Sequence, residues 1–189
     1  MPLLIIKEPA CLTSVTNVAE GMSHSKLEKR VLVGAKVEEV WRAWTTVEGI
    51  RTFFAPDARV ELELGGRYEI LFDREAPEGS RGSEGCRILS YVPRRMLSFS
   101  WNAPPKFKKS RREIAQWVVL FFDPLEGDQT LVRLLEFGWK SNKEGERVYE
   151  YFDRAWTLVL ARLAYSFSKG PLDWNRPYRP PGGSSSAKV

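Results

Sequence analysis

The stretch between Glu144 and Gly170 limits the fold more than any other part of this chain. Val148, Phe152, Trp156, Val159, Leu163 and Phe167 recur at helical spacing, and Tyr149, Tyr151, Leu158 and Leu160 widen the apolar sector. Glu144 and Glu146 stand where a helix start favours negative charge, and Lys169-Gly170-Pro171 is a stop signal. At 1.5 Å per residue, about twenty residues make a rod of roughly 30 Å. A rod so rich in rings must be covered by something broad.

The cover lies upstream. Leu27 to Val33 reads as a strand, rich in β-branched and apolar residues. Val37, Val40, Trp41 and Trp44 then fall on one face of a short helix, and Thr45 with Glu48 forms a capping box that opens a second. Beyond Pro56 the period becomes two. Val60, Leu62 and Leu64 alternate with Arg59, Glu61 and Glu63, Gly65-Gly66 signals a hairpin, and Tyr68, Ile70 and Phe72 alternate on the return. Gly85 to Val92 pairs with Met96 to Trp101, and Ile114 to Phe122 with Thr130 to Trp139. This order predicts an α+β domain: a seven-stranded, curved antiparallel sheet around the long C-terminal helix, with two short helices after the first strand. The domain is expected over 26–172, after a leader at 1–25 and before a Pro/Gly/Ser-rich disordered tail at 173–189. Met22 is an alternative start.

Composition narrows the chemistry. A length of 189 residues suits one domain with a substantial core. The net charge of +5 is scattered rather than gathered in a stripe, which argues against nucleic acid as a partner. The two cysteines are Cys11 and Cys86, and the one histidine is His24. With Cys11 and His24 ahead of the first strand, neither a Ser-His-Asp nor a Cys-His nucleophile system can be assembled, and no metal site or cofactor is expected. No apolar run approaches the 18 or so residues of a membrane span. Lys7, Glu8 and Pro9 end the N-terminal apolar run too early for a secretory signal, so a cytoplasmic protein is expected.

The order and spacing of several stretches resemble the START-like, or SRPBCC, superfamily. Within it the chain is similar to bacterial relatives of the C-terminal domain that activates the ATPase of the ninety-kilodalton heat-shock chaperone. The resemblance rests on Ala35 to Trp44 with its Val40-Trp41 pair, Phe53-Phe54, Leu64-Gly65-Gly66-Arg67-Tyr68, Gly85 to Leu97 with Pro93 and Arg95-Met96-Leu97, Phe137-Gly138-Trp139, Trp156 and Leu163. It runs from about Leu27 to Trp174. It implies the helix-grip fold, and a superfamily that includes lipid carriers, hormone receptors, cyclases and chaperone regulators. Many relatives carry a histidine near the end of the last strand, where this chain has Glu136.

A sheet curled on a helix leaves a hollow wherever facing side chains fall short, and otherwise becomes a solid aromatic core. Phe72, Phe99, Trp101, Trp117, Phe121, Phe152 and Trp156 are the candidate wall. Tyr68, Cys86, Gln116, Arg133 and Glu136 are polar residues on otherwise apolar strands, suited to orient a guest. Arg133 and Glu136 fall on opposite strand faces, but both faces are apolar, so periodicity leaves the inward one open. Facing inward, Glu136 would have a raised pKa; facing outward, it would be solvated or salt-bridged. The first functional reading is binding of a small hydrophobic molecule by Tyr68, Phe72, Phe99, Trp101, Gln116, Glu136, Phe152 and Trp156. A second is a cyclase- or hydrolase-type enzyme with Glu136 or Tyr68 as acid–base groups. A third is a chaperone-associated, stress-response interaction through the basic run Lys106 to Arg112.

Overall fold

A computed structural model describes residues 24–107, 110–111, 116–176 and 178. Strand β1 (Leu27–Val33) is followed by helices α1 (Val37–Thr45) and α2 (Val47–Phe53). Strands β2 (Asp57–Val60), β3 (Tyr68–Leu71), β4 (Ile88–Val92), β5 (Met96–Trp101), β6 (Gln116–Leu125) and β7 (Gln129–Phe137) come next, and helix α3 (Lys143–Lys169) closes the sequence of elements. The order matches the helix-grip reading.

The expected seven-stranded sheet is instead five strands in the order β1-β7-β6-β5-β4, with β2 and β3 as a separate two-stranded ladder. The break has a local cause. The register shifts between Ile88 and Ser90, and Gly85 sits at a φ of 84°, so the chain entering β4 turns away from a continuous ladder. Contact persists through Tyr68 N–H donating to the Cys86 carbonyl and Ile88 N–H to the Gly66 carbonyl, both at 2.9 Å. The strand expected over 60–64 lies earlier, at Asp57–Val60. Beyond it the backbone folds on itself, with Glu63 N–H on the Glu61 carbonyl at 2.8 Å, so the apolar alternation there runs into a turn and Leu64 is exposed.

The helix caps are as local as their sequences. Asn142 accepts the Gly145 N–H at 2.8 Å and caps α3, with Glu144 and Glu146 in the first turn and Gly170 at φ 98° ending it. The cap of α2 is Thr46, which accepts the Gly49 N–H at 3.0 Å. Thr45, expected in that role, is spent inside α1, donating to the Trp41 carbonyl at 2.8 Å.

Strand register decides the inner face. Thr130, Val132, Leu134 and Glu136 of β7 are buried, as are Gln116, Val118, Leu120 and Phe122 of β6. Trp41, Trp44, Phe53 and Phe54 from the short helices and Phe152, Trp156 and Leu163 from α3 complete one core. Each fully buried large side chain contributes about 1.5–3 kcal/mol relative to exposure. After α3 the chain returns across α2, with Leu172 N–H on the Thr52 carbonyl and the Trp174 indole on the Arg51 carbonyl.

Candidate functional site

A cavity of about 220 Å³ lies beside α3, at the end of the sheet where β5 runs out. Tyr151, Ala155, Leu158 and Arg162 bring one side of α3 to it, at the spacing i, i+4, i+7 and i+11 of a helical stripe. Phe152 and Trp156 stand beside that stripe. Trp101 closes the sheet side, Phe54 comes from the end of α2, and the loops after β3 and β5 form the rim. One engineered apolar hole of about 150 Å³ accepts benzene, and drug-sized ligands occupy roughly 300 Å³ or more. The hollow therefore suits one or two rings.

One guanidinium spans the two rim loops. Arg111 donates to the carbonyls of Ala103 at 2.9 Å, Gly79 at 2.6 Å and Gly82 at 3.0 Å, tying the two rim loops together. Gly82 packs so tightly that an added Cβ would stand 1.8 Å from the Ile70 carbonyl oxygen. Ser83 reinforces this seam by accepting the Ile70 N–H at 2.7 Å.

The structure divides the residues expected to bind a ligand. Phe72, Trp101, Phe152 and Trp156 border the cavity; Tyr68, Phe99, Gln116 and Glu136 do not. Tyr68 is fully buried against Phe99, ring centroids 4.3 Å apart, and its hydroxyl donates to the Trp44 carbonyl at 2.9 Å. Burial pushes the Tyr68 phenol well above its ordinary range. Gln116 is buried at the start of β6. Trp117 and Phe121 lie on the outer sheet face, Trp117 stacked on Phe137 and Phe121 under the Arg133 guanidinium, so neither is part of an interior wall. Arg133 shares that outer face and pairs with Asp123 at 2.7 Å.

Glu136 faces inward, which corrects the solvent-facing or salt-bridged alternative. It is fully buried, and its Oε2 accepts the Trp156 indole N–H at 2.6 Å while Oε1 has no partner. Desolvation raises its pKa well above the ordinary carboxylate value, against the opposing pull of the indole. Trp156 thus touches both the cavity and the acid, and screens one from the other. Cys86 is likewise buried, its thiol pushed up to about 12 by desolvation. His24 lies at the first turn of α3, stacked on Tyr149 at 3.6 Å and 3.0 Å from Glu146. No nucleophile and base meet at the cavity among the described residues. Nor do three or more His, Cys, Asp or Glu side chains gather there or elsewhere to hold a metal.

Sequence reasoning missed the charged part of the wall: Arg81, Arg111, Arg162 and Asp73. Asp73 is occupied by the Glu75 and Ala76 N–H groups of its own loop. Arg162 had a legible signal, because it continues an apolar helical stripe. Of the basic run, Lys108, Lys109 and Arg112 lie outside the described residues; Lys106 sits over the Tyr151 ring at 4.3 Å. Among the described residues no helix is long and apolar enough to cross a membrane.

The comparisons agree with the fold. The family model described as activator of Hsp90 ATPase homolog 1-like protein matches residues 34–167. Protein MLL2253 from Mesorhizobium loti superposes with a TM-score of 0.58 at 19% identity, covering 78% of this chain and 99% of that one. The Aha1 dimer from Colwellia psychrerythraea gives 0.58 at 16% identity, with coverage of 77% and 97%. CalU16 from Micromonospora echinospora gives 0.54 at 23% identity, with coverage of 80% and 83%. No curated protein matches the sequence.

Proposed function

Because this chain belongs to the activator of Hsp90 ATPase homolog 1-like protein family, we propose that it works as that fold's ligand-binding form, holding a small hydrophobic molecule beside α3. The observation that carries this is the aromatic wall of the cavity. Phe54, Phe72, Trp101, Tyr151, Phe152 and Trp156 all border a space that the protein's own side chains leave unfilled. Rings offer large apolar area and few rotamers, so a guest gains contact without much loss of side-chain freedom. Tyr68 and Glu136 are held away from this space by hydrogen bonds of their own, so they serve the packing of the wall rather than the guest.

Ala155 offers the test. It borders the cavity on α3, and Ala155→Phe fills the space with the protein's own ring. Protein purified from its own cells is examined by native mass spectrometry, and 2-naphthol is titrated by calorimetry. Wild type is expected to carry a small adduct or to bind 2-naphthol, and Ala155→Phe to lose both while keeping its circular dichroism. Equal binding by the two forms, or binding by neither, refutes the reading.

A further inference from the structure

Arg162 is half-buried, in a setting that guanidinium groups normally avoid. It borders the cavity, its Nε is closed off from solvent, and that Nε finds no acceptor. Among the described residues it makes no hydrogen bond and no ion pair, and its one contact of note is with the Trp174 ring, 5.6 Å from Cζ. Burial pulls it below its ordinary value, the direction expected when a cation loses water and gains nothing in exchange. The other charges of the wall add to this imbalance. Arg81 and Arg111 give their donors to backbone carbonyls, and no carboxylate lies within ion-pair distance of any of the three arginines among the described residues. Against these three stands Asp73 alone. Trp101, nearly fully buried in the same wall, also holds an indole N–H without an acceptor.

A charge drawn out of water costs stability unless something opposite meets it. Nothing among the described residues does so here, and the cavity in front is lined by rings. We infer that the guest is an aromatic molecule of one or two rings bearing a single anionic group, received by Arg162 at the cavity wall. The inference rests on the hydrophobic-ligand reading above and adds the sign of the guest's charge and the residue that selects it. A planar fork with five donors suits a carboxylate in two-point contact, which a neutral hydroxyl cannot supply.

The test compares molecules with the same rings and different heads. 2-Naphthoate, 2-naphthyl phosphate and 2-naphthol are titrated by calorimetry at neutral pH into wild type, Arg162→Gln and Arg162→Lys. The wild type is expected to bind an anionic probe at least about tenfold more tightly than 2-naphthol, in keeping with a charge-assisted hydrogen bond. Arg162→Gln is expected to erase that preference and leave 2-naphthol within about threefold, whereas Arg162→Lys keeps part of the preference. Whichever of naphthoate and naphthyl phosphate binds better assigns the head as carboxylate or phosphate. Equal binding of 2-naphthol and both anions, or a preference unmoved in Arg162→Gln, overturns the anionic guest but spares the hydrophobic one. Binding of none of the three, in a wild type that is folded by circular dichroism, overturns both.

Discussion

The two ends of the interior are built from the same kinds of side chain and reach opposite outcomes. At one end, Tyr68 and Phe99 pack with ring centroids 4.3 Å apart, the Tyr68 hydroxyl is bonded to the Trp44 carbonyl, and Glu136 is sealed behind Trp156. At the other, the Trp156 ring centroid stands 5.3 Å from that of Trp101 and 6.4 Å from that of Phe152, and all three border a hollow. Aromatic content does not distinguish them. What does is the source of the facing surface. The sealed end is closed by strands and short helices whose side chains interdigitate. The hollow end is closed by loops fastened through backbone carbonyls to Arg111, and the side chains that line it from those loops do not fill the space against α3.

Removing the ring shared by both ends should have the largest effect. Trp156→Ala is expected to cost about 3–5 kcal/mol in urea denaturation, since it empties the core and takes away the indole donor to Glu136. A loss below about 1 kcal/mol would show that Trp156 does not join the two ends. Next comes the seam of the hollow end. Gly82→Ala drives a methyl against the Ile70 carbonyl and is expected to cost about 2–3 kcal/mol and to weaken 2-naphthol binding. Weaker binding without lost stability would mean that the seam shapes the cavity but does not hold the fold.

Glu136 sharpens the comparison through pH. Its folded pKa lies above the ordinary value of 4.5, so the folded state is favoured most while the acid is protonated in both states. Stability is then lost progressively as the pH rises from about 4.5 towards the folded value. Glu136→Gln cannot ionise and should flatten this fall in thermal melts between pH 5 and 8. A slope unchanged in the variant would contradict the sealed carboxyl. The smallest effect belongs to Tyr68→Phe, which loses the bond to the Trp44 carbonyl. About 1 kcal/mol of stability should go, with 2-naphthol binding unaltered. Altered binding would connect two regions that the structure keeps apart.

The parts of this architecture written in local pattern were legible from the sequence, and those written in tertiary contact were not. Helix α3 announced itself because its apolar stripe, acidic first turn and terminal glycine all lie within one segment. The face of β7 could not be read, because Leu131, Leu135 and Phe137 make its outer side as apolar as the inner one that carries Val132 and Leu134. The same ambiguity put Trp117 and Phe121 among the candidates for an interior wall. Period two fixes which residues travel together and leaves their direction to the neighbouring strands. Arg111 illustrates the other limit. In sequence it belongs to a charged loop, and only the three carbonyls brought to it by folding make it a clasp. Arg162 lies between these cases: its spacing from Tyr151, Ala155 and Leu158 was visible, but an arginine at the end of a helical stripe ordinarily reaches water along its own stem.

The existence of an unfilled space against the middle of α3 is tested most directly by crystallography under xenon pressure, since xenon occupies apolar voids without needing a chemical match. Anomalous density bounded by Trp101, Phe152 and Trp156 is the result expected. A map with no xenon there, and with the space between those rings and the rim loops filled by protein side chains, would contradict the account.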